Sequence, residues 1–112
     1  MTTEYIRYLI ATGKKHDFYI STEWRKLRQS VLDENKKTGC VLCKAHGKYS
    51  VATHVHHLNY VRHRPDLALQ RYYVDSDGTL KANLICLCGA CHKRVHRHDH
   101  EAGKPPIQEE RY

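Results

Sequence analysis

In residues 1–20, Tyr5, Ile6, Leu9 and Ile10 recur at helical spacing until Gly13 interrupts them, which predicts a short helix in an N-terminal segment. From Ser21 or Thr22, both good N-caps, Trp24, Leu27 and Val31 fall at i, i+3 and i+7 across residues 23–37. Arg25, Lys26 and Arg28 lie around the rest of the surface, so this reads as an amphipathic helix that stops at Gly39. The period then changes. Residues 49–58 are rich in β-branched side chains and mostly alternate, and residues 83–87 form a second apolar run, which predicts two strands. The stretch between them is polar and long for a hairpin loop. It carries Pro65, an aromatic pair Tyr72-Tyr73 that reads as part of the small core, and a turn at Asp75-Ser-Asp-Gly78. Residues 92–96 look helical, and residues 97–112, with Gly103, Pro105 and Pro106, read as a flexible tail. The expected organisation is a segment 1–20, one α+β domain over 21–96 and a tail 97–112.

Composition changes that picture in one respect. With one Trp, one Phe and one Met among 112 residues, large apolar surface is scarce, and a dry core alone would hold so small a domain weakly. Something else should staple it. No run of about 18 apolar residues offers a membrane span, and nothing at the N-terminus reads as an export signal; a cytoplasmic protein is expected. In that compartment disulfides are disfavoured, and the five cysteines fit a metal better. Cys40-Val-Leu-Cys43 and Cys88-Gly-Ala-Cys91 are two Cys-x-x-Cys turns, the spacing that presents four thiolates to one tetrahedral structural zinc. Cys86 is left over, either as a small buried core residue or in exchange with Cys88.

The formal charge is +7, and residues 1–96 hold 16 Lys and Arg against eight Asp and Glu, so even with four thiolates on zinc the domain is basic. A phosphate-rich partner is implied. Arg25, Lys26 and Arg28 on the amphipathic helix, Arg62, Arg64 and Arg71 in the insertion, and Lys93 and Arg94 near the last helix are the candidate contacts.

Ten histidines carry the remaining chemistry. His92 and His96 are four apart, a helical spacing that chelates one ion. Zinc closure between the two cysteine pairs would bring His54, His56 and His57 on the predicted strand beside them. Adjacent histidines offer two roles, one nitrogen for a metal and another for a proton. Alternation sends His56 and His57 to opposite faces, so a bulge or strand end is needed for both to serve one cleft.

The stretch from Trp24 to His96, about two thirds of the chain, resembles the HNH endonuclease family, whose ββα-metal fold is also called the His-Me finger. The matching residues are His56-His57-Leu58, Asn83-Leu84, Leu87-Cys88 and Cys91-His92 followed by His96, with the flanking cysteine pairs. The resemblance implies an α+β chain with a small ββα-metal core, flanking helices and a structural Zn²⁺. By it, His57 takes the general-base position and His56 the preceding metal-ligand position, often Asp elsewhere. Asn83 is the central Asn, structural in some members and metal-binding in others; His92 is the final His and His96 a further ligand. The implied activity is divalent-metal-dependent hydrolysis of DNA to 3′-hydroxyl and 5′-phosphate ends. The catalytic ion is expected to be Mn²⁺ or Mg²⁺, and imidazole ligands suit Mn²⁺, Ni²⁺, Co²⁺ or Zn²⁺ better than Mg²⁺. A single cleft, in a monomer or weak homodimer, would nick one strand of a duplex. The competing expectation is a non-catalytic zinc-knuckle module that only binds DNA.

Overall fold

The computed structural model describes residues 1–101, with side chains through Val95. Thr2 caps helix α1 (Thr3–Ala11) by accepting from the Tyr5 N–H, and after Gly13 a second turn of helix, α2 (Lys15–Tyr19), brings Phe18 and Tyr19 inward. Ser21 does the same for α3 (Thr22–Glu34), accepting from the Trp24 N–H. The N-terminal segment is thus two helices where one was expected, and the amphipathic helix ends three residues short of its predicted limit.

Gly39, at φ +66°, turns the chain into α4 (Val41–Ala45), a single turn that the apolar pattern did not predict. A Cβ there would lie 2.2 Å from the Ser50 carbonyl oxygen, so only glycine fits between this turn and the incoming strand. Strand β1 is short, His54–His57, because residues 49–53 have no partner strand along their length; among the described residues their bonds to other backbone are Cys40 N–H to the Ser50 carbonyl and Thr53 N–H to the Leu87 carbonyl. A turn of 3₁₀ helix at Pro65–Leu67 leads to a hairpin of β2 (Tyr72–Val74) and β3 (Leu80–Ala82) around the predicted Asp75–Gly78 turn. Tyr72 is exposed and Tyr73 half-buried, so this pair is the outer ribbon and not core. Strand β4 (Leu84–Leu87) returns beside β1, and α5 (Gly89–Glu101) closes the domain.

The β1–β4 ribbon divides the molecule into two layers. It is antiparallel and unbulged, pairing His54 with Leu87, Val55 with Cys86, His56 with Ile85 and His57 with Leu84. Residues two apart share a face. Val55, Leu84 and Cys86 turn to the main core with Ile6, Leu9, Phe18, Trp24 and Val31; Ile85 and Leu87 turn to the other side, where Cys40 and Cys91 are buried. Among the described residues no helix is long and apolar enough to cross a membrane.

Candidate metal centre and active site

The sulfur cluster is assembled from both ends of the domain. Cys40 stands at the start of α4 and Cys43 within it; Cys88 and Cys91 straddle the start of α5. Their four Sγ atoms lie within 4.8 Å of one another, and Cys43 is 3.8 Å from both Cys88 and Cys91. A tetrahedron with Zn–S bonds of about 2.3 Å has edges of about 3.8 Å, so the thiols fit zinc as they stand. Burial opposes ionisation of Cys40, yet the N–H groups of Cys43 and Cys88 and the Cys91 and Cys43 thiols converge on it and lower it to about 6. Cys91, buried and facing those same sulfurs, is pushed up to about 12. One thiolate forming at the expense of its neighbours is what four converging sulfurs do until a cation shares their charge. Cys86 is not among them: its sulfur points at the Val31 carbonyl 3.8 Å away and burial raises its thiol, so Cys88 belongs to the cluster and Cys86 to the core.

Because α5 starts at the sulfur cluster, His92 follows Cys91 directly and faces β1. There the strand's alternation decides the chemistry. The His92 ring stacks on His54, centroids 4.4 Å apart and 19° from parallel, and meets His56 edge-on at 6.2 Å; Tyr60 also meets His56 edge-on, at 6.0 Å. His54, expected beside the last helix with His56 and His57, does face α5, because its i, i+2 relation puts it on the same side of the strand as His56. Thr53 Oγ1, 2.8 Å from His54 Nδ1, holds that ring. Among the described residues the cysteine cluster is the only group of three or more ligand side chains within 4.8 Å, so His54, His56 and His92 are neighbours without forming a three-nitrogen cage. His96 stands in α5 one turn beyond His92, and its side chain lies outside the described residues.

His57 turns the other way. Its ring is fully buried, stacked on Trp24 at 4.5 Å and flanked by Phe18 and Tyr19. Its Nε2 is 2.9 Å from the Ala68 carbonyl, which can only accept; the neutral ring therefore carries its proton on Nε2 and its lone pair on Nδ1. The bulge that would let His56 and His57 share one cleft is absent, since the ladder runs straight through both and Leu58 N–H continues it to the Asn83 carbonyl.

Asn83 is completely buried and binds the insertion loop on both sides. Its Oδ1 accepts from the Asn59 N–H and side-chain amide at 3.2 and 2.9 Å, and its Nδ2 donates to the Leu67 and Gln70 carbonyls at 2.8 and 2.9 Å. Asn83→Ala would leave these partners unsatisfied at about 1 kcal/mol or more each, an expected loss of roughly 3 to 5 kcal/mol in urea unfolding, with Asn83→Asp intermediate because it keeps the acceptor.

The predicted cationic residues divide by what holds them. Arg71 is tied to Glu34 and Ser30 of α3, and Arg64 makes a two-pronged pair with Asp66, whose carboxyl it holds below the usual range. Arg62 donates to the His63 ring at 3.1 Å; Lys93 and Arg94 are exposed on α5, Arg94 reaching to 3.6 Å from the Cys91 sulfur. Arg25 and Arg28, with Lys26, line one groove on α3.

No family model and no curated protein matches the sequence. Among solved structures, the HNH endonuclease of the deep-sea thermophilic bacteriophage GVE2, determined with a manganese ion, aligns with a TM-score of 0.65 at 27% identity, over 93% of this chain and 100% of that one. The ribbon, the helix beginning at the sulfur cluster and the imidazoles between them stand on a fold shared with that enzyme: in architecture as in motif, the chain resembles the HNH endonucleases, a ββα-metal core with a four-cysteine cluster suited to structural zinc.

Proposed function

We propose that the chain is a divalent-metal-dependent endonuclease that hydrolyses DNA to 3′-hydroxyl and 5′-phosphate ends, nicking one strand per active site. The observation that carries this is the imidazole face of His54, His56 and His92 between β1 and α5, in a chain similar to an HNH endonuclease crystallised with manganese. His56 and His92, with His96 one helical turn on, would hold the catalytic ion, and an imidazole donor set suits Mn²⁺ better than Mg²⁺. Such an ion, when bound, supplies charge stabilisation at the phosphate and the departing 3′ oxygen.

The residues themselves handle the proton. In the reading that the family resemblance supports, His57 is the base, its ring orientation held by the Ala68 carbonyl 2.9 Å from Nε2. The complete burial of His57 against Trp24 favours a second reading, in which it is a core histidine and His56 or His54 takes that proton. His57→Phe separates them, because it keeps the ring in the aromatic stack and removes both nitrogens. As base, His57 should cost about 10²- to 10⁴-fold in nicking on replacement, with zinc content and unfolding temperature largely kept; near-normal nicking by the variant would transfer the role to the other face. The function itself is tested with supercoiled plasmid and zinc-loaded protein across divalent ions. Open circles should accumulate before linear molecules when Mn²⁺ is added. Retention of duplex with no scission under any ion would leave the zinc-knuckle binding module instead.

A further inference from the structure

Thr22, Arg25, Lys26 and Gln29 succeed one another along one stripe of α3 and, with Arg28, line an open groove. The acids of this helix are largely engaged elsewhere. Glu23 meets the N-terminal amino group at 3.2 Å, with Lys26 adding to the positive field on it; Asp33 is held by Gln29 and Lys36, and Glu34 by Arg71. Arg25 makes no ion pair among the described residues. The groove also leads somewhere. Arg28 donates to the Thr53 carbonyl at 2.8 Å, Thr53 Oγ1 meets the His54 ring at 2.8 Å, and that ring stacks on His92. The cationic stripe on α3 therefore ends at the edge of the imidazole face.

We propose that this groove is the track for one phosphate backbone, laid along α3 past Arg25, Lys26 and Arg28 so that the strand arrives at the imidazoles. The assignment of the occupant rests on the nuclease reading; the groove's own evidence is charge and continuity with the site. It separates Arg25 and Lys26 from Arg64 and Arg71, whose charge is already matched by Asp66 and Glu34.

The test is equilibrium binding of a short DNA duplex to zinc-loaded protein, without added catalytic ion, over a series of salt concentrations. Each phosphate contact contributes about 0.9 to the slope of log affinity against log salt, so the double variant Arg25→Ala, Lys26→Ala should lower the slope by nearly 2, alike for unrelated duplex sequences. Alanine is a good helix former and both sites are exposed, so far-UV circular dichroism should be unchanged. The matched variant Lys36→Ala, Lys37→Ala removes equal charge off the groove and should keep the parental slope. An unchanged slope in the first variant, or equal losses in the two, overturns the track. Because no cleavage is read, the outcomes stay separable. A parent that binds with the expected slope difference but never cuts removes the nuclease reading alone; a parent that cuts while the first variant keeps its slope removes the track alone.

Discussion

Cys40→Ser is expected to unfold the domain and not merely loosen it. Structural zinc in small domains contributes an apparent 10 to 16 kcal/mol or so at neutral pH, which matches or exceeds the whole stability of about 5 to 15 kcal/mol available to a chain this size. The dependence follows from the architecture. Cys40 and Cys43 come from α4 and Cys88 and Cys91 from the start of α5, on one side of the β1–β4 ribbon, and the second apolar cluster consists of little besides those thiols, Leu87 and their neighbours. Without the ion, four converging sulfurs, those of Cys40 and Cys91 buried, meet with no cation among them. Circular dichroism should show loss of the cooperative transition, and metal analysis should fall from one zinc per chain to none. Cys86→Ala, by contrast, should keep the zinc, since its sulfur faces Val31. Acidification should release zinc, because the ligands must be thiolates: affinity rises with pH and is lost as pH falls. Full folding of Cys40→Ser with no bound metal would show that the apolar core suffices.

His92→Ala should leave fold and zinc in place and remove nicking by about 10³-fold. In the proposed role His92 holds the catalytic ion, and withdrawing such a ligand would forfeit several kcal/mol of transition-state stabilisation, about 4 kcal/mol being a thousandfold in rate. His56→Ala should behave alike, its ring standing edge-on to His92. Two ligands of one ion act as a unit, so the double variant should be scarcely worse than either single one, where independent contributions would multiply. Plasmid nicking in Mn²⁺, alongside zinc content, makes the measurement. A His92→Ala protein that nicks normally would place the reaction elsewhere.

Both predictions draw on features of unequal legibility in the sequence. The cysteine pairs were legible because two residues between thiols is a local geometry, independent of the rest of the chain. The same holds for α3, whose period of 3.6 is written by burial of one face, and for β4, a short apolar run packed on both faces. The single-turn α4 and the three-residue strands of the outer hairpin were not legible: they are too short for any period to accumulate, and they exist because the sulfur cluster and the Asp75–Gly78 turn hold their ends. Arg71 shows the limit for charges. Its sequence neighbourhood offers a basic insertion, but its partner Glu34 is 37 residues away, and only folding turns a candidate phosphate contact into a tether.

The sequence by itself determined the ligand types and their spacings, the basic balance, the amphipathic helix and the alternation along the first strand. Tertiary structure decided which chemically equal residues meet. It chose Cys88 over Cys86, sent Asn83 into four loop hydrogen bonds, set His54 and His56 against His92, and stacked His57 on Trp24. The reason is that a side chain's chemistry and its local period are properties of a few adjacent residues. Its partners are set by which faces of the ribbon pack against α3 and α5, and that packing forms only when distant segments close on one another.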